Sequence, residues 1–388
     1  MKLHKKAKLP NGFSCISVNC GIKEKDKDLS VFFSTKPAHA FGMFTKNKYP
    51  GVPVLLGREI IKKGILQAVV VNSKISNVGT GQSGIDNAKK VTAKTAEELG
   101  IPEEYVIMGS TGVIAKQLPV EKICHGLENI KDKLQPDPLI GAKGIMTTDS
   151  FPKAISIECG NSIISVVAKG SGMIEPNMAT MLAYIFTDAE IEKNTLQIIF
   201  NKTINKTFNR LSIDSDTSTS DTCLLLANGM AGNVNLTDFE MKLEYICLEM
   251  VKLLARDGEG ATKLLIAGVE GARNETEALI IAKSIVNSPL VKTMAYGADP
   301  NIGRVLMAVG KCFTCSINKQ LLAITIQNHL VFANEQKTEF AEDQMRKLLN
   351  QDPVVIHVNL NIGLGKAICY GCDLTEGYIK ENASYYSS

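Results

Sequence analysis

Thr180 is the residue whose type and position most clearly suggest chemistry. It lies in residues 169–190, which read KGSGMIEPNMATMLAYIFTDAE, directly after the small residue Ala179 and before an apolar run. Pro176 cannot lie inside a central strand or a helix interior, so the chain must break before the apolar run begins. One interpretation of a threonine at such a break is an ordinary helix N-cap.

A second interpretation makes Thr180 a nucleophile. A threonine can act without a histidine when its own α-amino group serves as the base, which requires cleavage of the peptide bond before it. Ala179 leaves the carbonyl at that bond uncrowded, and the Pro-Asn turn can hold the bond in a strained, exposed geometry. Attack by Thr180 Oγ would give an ester that water then hydrolyses, so the stretch is typical of a self-cleaving nucleophile.

Other catalytic chemistries have little support in the sequence. The five histidines have no GxSxG or HExxH pattern around them, and no phosphate-binding GxxxxGK[ST] loop occurs. The two CxxC pairs, Cys312/Cys315 and Cys369/Cys372, lie far apart, against roughly 15–20 residues in a typical four-cysteine zinc site. We therefore expect no metal and interpret these cysteines as buried thiols.

Small hydroxyl residues cluster with glycine in loops at 108–113, 146–153, 212–222 and 256–263. In the first loop, MGSTGV, a glycine lets the backbone N–H face outward and a threonine hydroxyl supplies a second donor, as in an oxyanion hole. The alternative is a plain strand-to-helix turn. Loops of this kind usually cover strand ends, but four in one chain indicate a polar pocket.

Composition narrows the possible partners. The chain carries 43 basic and 40 acidic residues, a net charge of +3, with the basic residues scattered, which argues against nucleic acid or an anionic membrane surface as partner. Aromatic residues make up 6% with no Trp, so base-stacking platforms are also disfavoured. The N-terminus lacks the apolar segment of a signal peptide, and no run is long enough to span a bilayer. Ten cysteines without an export signal predict reduced thiols in the cytoplasm.

The order of elements predicts a mixed architecture. Strands are expected at FSCISVNC, LSVFFS, FGMFT, VPVLLG, 67–74, 105–113 and in several later segments, with a hairpin about Gly160-Asn161. Helices are expected at 83–99, 119–134, 194–209, 237–256 and 276–287. Strands and helices are mixed rather than strictly alternating, so the fold class is α/β or α+β in layers. Nothing in the sequence marks a clean domain boundary.

Several motifs together resemble the ornithine acetyltransferase family, also called bifunctional glutamate N-acetyltransferases. They are the processing-site stretch at 169–189, STGVI, IMTTDSFPK, SIDSDTSTSDT, DGEGATK, NSPLVKTMAYGADPNIGR and the C-terminal YGCDLTEGYIKENASYYSS. They occur in the family's order and cover nearly the whole chain. The resemblance favours the nucleophile interpretation of Thr180 over the helix cap.

The resemblance implies a role for each matching residue. Cleavage after Ala179 would give chains 1–179 and 180–388, with Thr180 as nucleophile and Thr111 and Gly112 as the oxyanion hole. The residues that would line the substrate site are Thr148, Lys169, Thr180, Glu259, Asn382 and Ser387. Since the substrates are zwitterionic amino acids, we pair Lys169 with a carboxylate and Glu259 with an ammonium.

The activity implied is ping-pong acetyl transfer from N2-acetylornithine to glutamate, in arginine biosynthesis. It needs no metal or organic cofactor, although the sequence leaves open whether acetyl-CoA is a second acetyl donor. The implied fold is a layered α/β fold resembling N-terminal nucleophile hydrolases, with the two chains assembling as an α2β2 heterotetramer.

Two departures from the family pattern leave the exact substrate open. Ile302 stands where the family usually has Trp, and Lys74, in SKISNVGTG, stands where glycine is expected. Three alternatives remain: a related amidohydrolase or peptidase that uses water as acceptor, an acetyltransferase of a specialised pathway, and an unprocessed homologue that only binds amino acids.

Overall fold

A computed structural model of the chain describes residues 1–175 and 181–383. The expected cleavage residues Ala179 and Thr180 and the expected substrate residue Ser387 therefore lie outside the described residues. The chain divides into two compact units. The first comprises Met1–Asn209 and Asp216–Met250, and the second comprises Arg210–Ser215 and Val251–Ser388.

The first unit is built on one mixed sheet with the strand order β4-β3-β2-β8-β7-β6-β5, and β1 pairs with β2 beside this path. Its strands are β1 Phe13–Val18, β2 Leu29–Phe44, β3 Ile65–Asn72, β4 Val106–Ser110, β5 Lys153–Cys159, β6 Ser162–Lys169, β7 Leu182–Glu190 and β8 Thr222–Asn233. The pairs β3–β4 and β7–β8 are parallel, whereas β6 pairs antiparallel with both β5 and β7.

Helices cover both faces of this sheet. They are α1 Val52–Ile60, α2 Gly81–Leu99, α3 Val120–Gly126, α4 Pro138–Ile145, α5 Lys193–Lys206 and α6 Leu236–Arg256. Strand β3 is buried on both sides because its successive side chains alternate between faces: Ala68 and Val70 pack in a core with α2 and α3, and Val69 and Val71 pack in a core with α4. These two cores hold the ends of β3, β4, β6 and β7 in place.

The second unit has its own sheet, with the strand order β12-β11-β10-β13-β9-β14. Its strands are β9 Leu264–Ala272, β10 Ala323–Ile326, β11 His329–Ala333, β12 Gln336–Lys337, β13 Val354–Asn359 and β14 Gly365–Cys372. Its helices are α7 Glu275–Asn287, α8 Pro289–Tyr296, α9 Ile302–Gly310, α10 Glu342–Leu349 and α11 Glu376–Asn382. Apolar residues of α7, α8 and α9 form one core with β9, β10 and β13.

The mixed α/β prediction is confirmed, and so are most of the long elements. The apolar run after Thr180 is strand β7 and not a helix, so the interpretation of that threonine as a helix cap is wrong. The expected strand VPVLLG is also wrong: it opens helix α1, where Pro53 in the first turn loses no hydrogen bond because the first N–H groups of a helix are unpaired anyway. The expected helix 119–134 ends at Gly126 as α3, and Asn129 just beyond it takes a left-handed conformation (φ 54°).

No single helix among the described residues is long and apolar enough to cross a membrane, although the bent pair α7–α8 passes that test by length and composition. All ten cysteines lie in the described residues, and none of them forms a disulfide. Of the CxxC cysteines, Cys312, Cys369 and Cys372 are buried and Cys315 is half-buried. Within residues 1–175 and 181–383, no group of three or more His, Cys, Asp or Glu side chains could hold a metal ion.

Candidate functional site

The turn after β4 carries the expected oxyanion residues Thr111 and Gly112. Its base is fixed by Asn72, at the end of the neighbouring strand β3. The Asn72 Oδ1 atom accepts a hydrogen bond from Ser110 Oγ at 2.6 Å, and the Thr111 N–H donates to the Asn72 carbonyl at 3.1 Å. The Thr111 N–H is therefore already committed, and the hydroxyl is the group of Thr111 that remains for a ligand.

Gly112 can be no other residue at this position. Its φ is +124°, and a Cβ atom added to it would lie 2.2 Å from the carbonyl carbon of Lys74. Its neighbour Val113 donates its N–H to the Lys74 carbonyl at 2.9 Å. The Gly112 N–H itself has no hydrogen-bond partner among the residues that the structure describes. The turn thus presents one backbone donor next to one threonine hydroxyl.

The departure at Lys74 lies against this turn. Lys74 has a φ of 76°, in the left-handed region where glycine is the usual residue. The expectation of glycine at this position thus has a physical basis in the backbone. A lysine here costs conformational energy, of order 1–3 kcal/mol, without displacing the turn.

Lys169, the last residue of β6, points its ammonium group at this turn. Its Nζ atom donates to Thr147 Oγ1 at 2.7 Å and lies 3.5 Å from Thr111 Oγ1. An ammonium can only donate, so in the second contact the Thr111 oxygen is the acceptor. The Thr111 proton is then directed elsewhere, which suits a hydroxyl that must donate to a developing oxyanion.

Asp149 organises the lysine side of the site. Its carboxylate accepts hydrogen bonds from Lys153 Nζ at 2.7 Å, from the Gly170 N–H at 2.7 Å and from the Thr147 N–H at 3.0 Å. Lys169 Nζ lies 3.8 Å from Asp149 Oδ2, the oxygen that accepts from the Thr147 N–H. Burial alone would raise the pKa of Asp149, but the Lys169 and Lys153 ammonium groups and these hydrogen bonds hold it at about 2. Asp149 is therefore ionised at neutral pH.

Thr148 and the start of β7 complete this part of the first unit. The Thr148 hydroxyl lies 2.5 Å from Ser171 Oγ, two residues beyond Lys169. Leu182, the second residue after the expected nucleophile, pairs with Lys169 across the β6–β7 ladder. The structure thus brings together the predicted residues Thr111, Gly112, Thr148 and Lys169 at the end of the sheet where β7 begins.

Two more predicted residues meet in the second unit. Asn382, at the end of α11, donates its side-chain N–H to Glu259 Oε2 at 2.7 Å. The loop that carries Glu259 is fixed against the start of α11, because Thr375 Oγ1 donates to the Gly260 carbonyl at 2.6 Å. A Cβ at Gly260 would lie 2.4 Å from the Gly377 carbonyl carbon, so this contact also requires glycine.

The rest of that loop, DGEGATK, is held by buried charges of the second unit. Asp373 accepts hydrogen bonds from the N–H groups of Thr262 and Lys263 at 2.8 and 3.1 Å. Lys263 Nζ in turn donates to the Ala295 and Leu349 carbonyls at the ends of α8 and α10. Glu259 is therefore presented by a rigid loop. Ile302, the second departure from the family pattern, opens α9 and packs against the core of this unit.

Sequence reasoning missed four polar residues of the first unit. Thr147, Asp149 and Lys153 belong to the polar cluster MTTDSFPK, in which the family resemblance points only to Thr148. Lys23 had no signal: it lies in an early loop, yet its Nζ atom donates to the Met146 carbonyl at 2.8 Å. Only the fold brings Lys23 beside that cluster.

Comparisons with known proteins agree with the sequence motifs. A profile described as the ArgJ family matches residues 14–387. The chain is 46% identical to arginine biosynthesis bifunctional protein ArgJ 2 of Nostoc sp. over 97% of each chain, and 40% identical to glutamate N-acetyltransferase Oat2 of Streptomyces clavuligerus over 97% of this chain and 98% of that one. A crystal structure of ArgJ from Bacillus halodurans matches with 41% identity and a TM-score of 0.51, covering 53% of this chain and 100% of its own.

Proposed function

Since the chain belongs to the ArgJ family, we propose that it is an ornithine acetyltransferase of arginine biosynthesis, which transfers the acetyl group of N2-acetylornithine to glutamate. The names of its relatives, an arginine biosynthesis bifunctional protein and a glutamate N-acetyltransferase, support this assignment. The structural observation that carries it is the meeting of Lys169 and Thr111 at the end of β6, where Leu182 pairs with Lys169. This is the end of the sheet from which a nucleophile at Thr180 would act.

The first step of the proposal is self-cleavage. Thr180 Oγ attacks the Ala179 carbonyl, the C–N bond breaks to leave an ester and a free α-amine, and water hydrolyses the ester. The products are chains 1–179 and 180–388. The B. halodurans crystal structure supports this step. The match covers 100% of the chain in that structure but only 53% of the present chain. Residues 180–388 are about that share of the sequence.

Acetyl transfer then follows a ping-pong route. The Thr180 α-amine takes the hydroxyl proton while Oγ attacks the acetyl carbonyl of N2-acetylornithine. The Thr111 hydroxyl and the Gly112 N–H stabilise the resulting oxyanion, and removal of one such donor typically costs about 10²–10³ in rate. The C–N bond breaks, ornithine leaves with the proton, and the acetyl group remains as an ester on Thr180. Glutamate attacks this ester in the reverse sequence to give N-acetylglutamate.

The charged residues are assigned to substrate groups as the family resemblance implies. An α-carboxylate would bind Lys169 beside the Thr147 and Thr148 hydroxyls, and Glu259 with Asn382 and Ser387 would take an ammonium group. Neither step requires a metal or an organic cofactor. In this proposal the two chains remain associated, pair as an α2β2 heterotetramer and act in the cytoplasm.

Two measurements test this function. Purified protein should give two bands on a denaturing gel, and N-terminal sequencing should find a chain beginning Thr-Met-Leu-Ala. The processed enzyme should form N-acetylglutamate from N2-acetylornithine and glutamate. Acetate release at the same rate with and without glutamate would identify an amidohydrolase instead, and an uncleaved, inactive protein that binds amino acids would contradict the enzyme assignment.

A further inference from the structure

Asn72, the last residue of β3, lies directly behind the oxyanion turn, the segment 110–113 after β4. It pairs with Ser110 in the parallel β3–β4 ladder, one residue before Thr111. The Asn72 side chain is completely buried. A buried amide must find its hydrogen-bond partners inside the protein. Its partners therefore show which parts of the turn this one side chain connects.

The Asn72 side chain joins the oxyanion turn to the segment against which the turn packs. Its Oδ1 atom accepts a hydrogen bond from Ser110 Oγ at 2.6 Å, and its Nδ2 atom donates to the Ile75 carbonyl at 2.8 Å. Ile75 in turn forms single β-bridges with the residues on either side of Gly112. One amide thus holds both the start of the turn and the residue around which the turn bends.

The backbone of Asn72 decides which donors of the turn remain for an oxyanion. Its carbonyl accepts the Thr111 N–H at 3.1 Å, which leaves the Thr111 hydroxyl and the Gly112 N–H. Such donors are effective at about 2.7–3.1 Å from the developing oxyanion, and a displacement of about 1 Å can cost on the order of 10² in rate. A side chain that fixes both segments of the turn therefore controls whether these two donors can act together.

We propose that Asn72 is a positioning residue for acetyl transfer, whose side-chain amide holds the Thr111 hydroxyl and the Gly112 N–H at the spacing that stabilises the oxyanion. This proposal rests on the acetyltransferase function proposed above. Asn72 acts through the turn rather than by contact with substrate, because both polar atoms of its buried side chain have protein partners. Since the oxyanion forms only after attack on the acetyl carbonyl, a displaced turn should lower kcat and leave KM nearly unchanged.

The test compares Asn72→Ala with Asn228→Ala in the processed enzyme, with glutamate as acetyl acceptor. Asn228 is the matched control, because its side chain is also buried and its Nδ2 atom donates to a backbone carbonyl, that of Asn11, at 2.8 Å. It lies in β8 away from the end of that strand that pairs with Leu182. Asn72→Ala should lower kcat on the order of tenfold with KM nearly unchanged, whereas Asn228→Ala should keep the wild-type kcat even if its Tm falls.

A double-mutant cycle separates positioning from a general loss of structure. In a Thr111→Val background, which has no hydroxyl to position, Asn72→Ala should lower kcat by a clearly smaller factor than in the wild-type background. Ser110→Ala breaks the same contact from the other side, so it should also lower kcat at constant KM even if Asn72→Ala does not fold. Ser110→Thr keeps the hydroxyl and should restore part of the loss.

Three results would overturn the proposal: a wild-type kcat in Asn72→Ala or Ser110→Ala, an equal loss in Asn228→Ala, or the same factor of loss with and without the Thr111 hydroxyl. A wild-type enzyme that transfers no acetyl group to glutamate would instead refute the proposed function.

Discussion

Replacing Asp149 with asparagine should destabilise the protein strongly. The side chain is completely buried, and its carboxylate faces Lys153 at 2.7 Å and Lys169 at 3.8 Å. An asparagine side chain has nearly the same shape, but it would take one counter-charge away from two buried lysines. Removing one partner of a buried ion pair typically costs about 3–5 kcal/mol.

The pKa of Asp149 gives an independent value for the stability that its ionised form contributes. Its fall from 3.8 to about 2 in the folded protein corresponds to about 2.5 kcal/mol of preference for the ionised form. The two figures bracket an expected loss of about 3 kcal/mol at pH 7, which should lower Tm by about 5–10 °C. Thermal unfolding followed by circular dichroism measures it.

The pH dependence tests the cause. Because the pKa of Asp149 is depressed by folding, its contribution is complete above pH 3.8 and is lost as the pH falls toward 2. The difference in Tm between wild type and Asp149→Asn should therefore become smaller as the pH falls from 3.8 toward 2. Asp238→Asn is the matched control: Asp238 also pairs with a lysine four residues later, at 2.8 Å, but is partly exposed, so its effect should be far smaller. A Tm within about 1–2 °C of wild type, or a gap independent of pH, would refute the argument.

Three further predictions concern the backbone turn, the core and the base. Gly112→Ala should abolish acetyl transfer, because its Cβ would lie 2.2 Å from the Lys74 carbonyl carbon. Gly160→Ala is the control: Gly160 also has a positive φ but open space around it, so this variant should keep the activity. Equal activities of the two variants would contradict the role of the turn. Tyr184→Phe should not lower Tm, since the Tyr184 hydroxyl is buried with no hydrogen-bond partner in residues 1–175 and 181–383. It should also reduce the Tm loss caused by Gly109→Ala, whose Cβ would lie 2.5 Å from that hydroxyl. Additive effects of the two changes on Tm would show that these groups do not touch. The kcat/KM of the processed enzyme should rise through a single ionisation at about 7–8, where a free α-amino group titrates, and a rise only near 10 would point to a lysine base.

Local pattern predicted those parts of the fold that short-range physics decides. Strand β3 and helices α2 and α7 have the continuous or periodic apolar residues that such elements need to be buried. The strand prediction for VPVLLG was wrong because a short apolar run is compatible with either a strand or a helix. The segment lies between the sheet and solvent, where it forms a helix. Helices α8 and α9 were not predicted from pattern, although the Ser288-Pro289 pair is a helix-start signal.

Part of the candidate site could also be predicted from local sequence pattern. Glycine beside hydroxyl residues marks the Thr111–Gly112 turn, because only glycine tolerates its backbone geometry. The roles of Asp149 and Lys23 were not visible, since they depend on burial and on contacts between segments that are distant in the chain. A charged residue in a loop looks the same in the sequence whether it is solvated or held by hydrogen bonds to a distant segment.

The most direct test of the central claim is to trap the acetyl-enzyme. Processed protein is mixed with N2-acetylornithine in the absence of glutamate, and the two chains are weighed by mass spectrometry. We expect one added acetyl group on chain 180–388, localised to Thr180 as a hydroxylamine-sensitive ester. When glutamate is added, this group should disappear as N-acetylglutamate forms. An unmodified chain 180–388 during turnover, or an acetyl group on any other residue, would contradict the central claim.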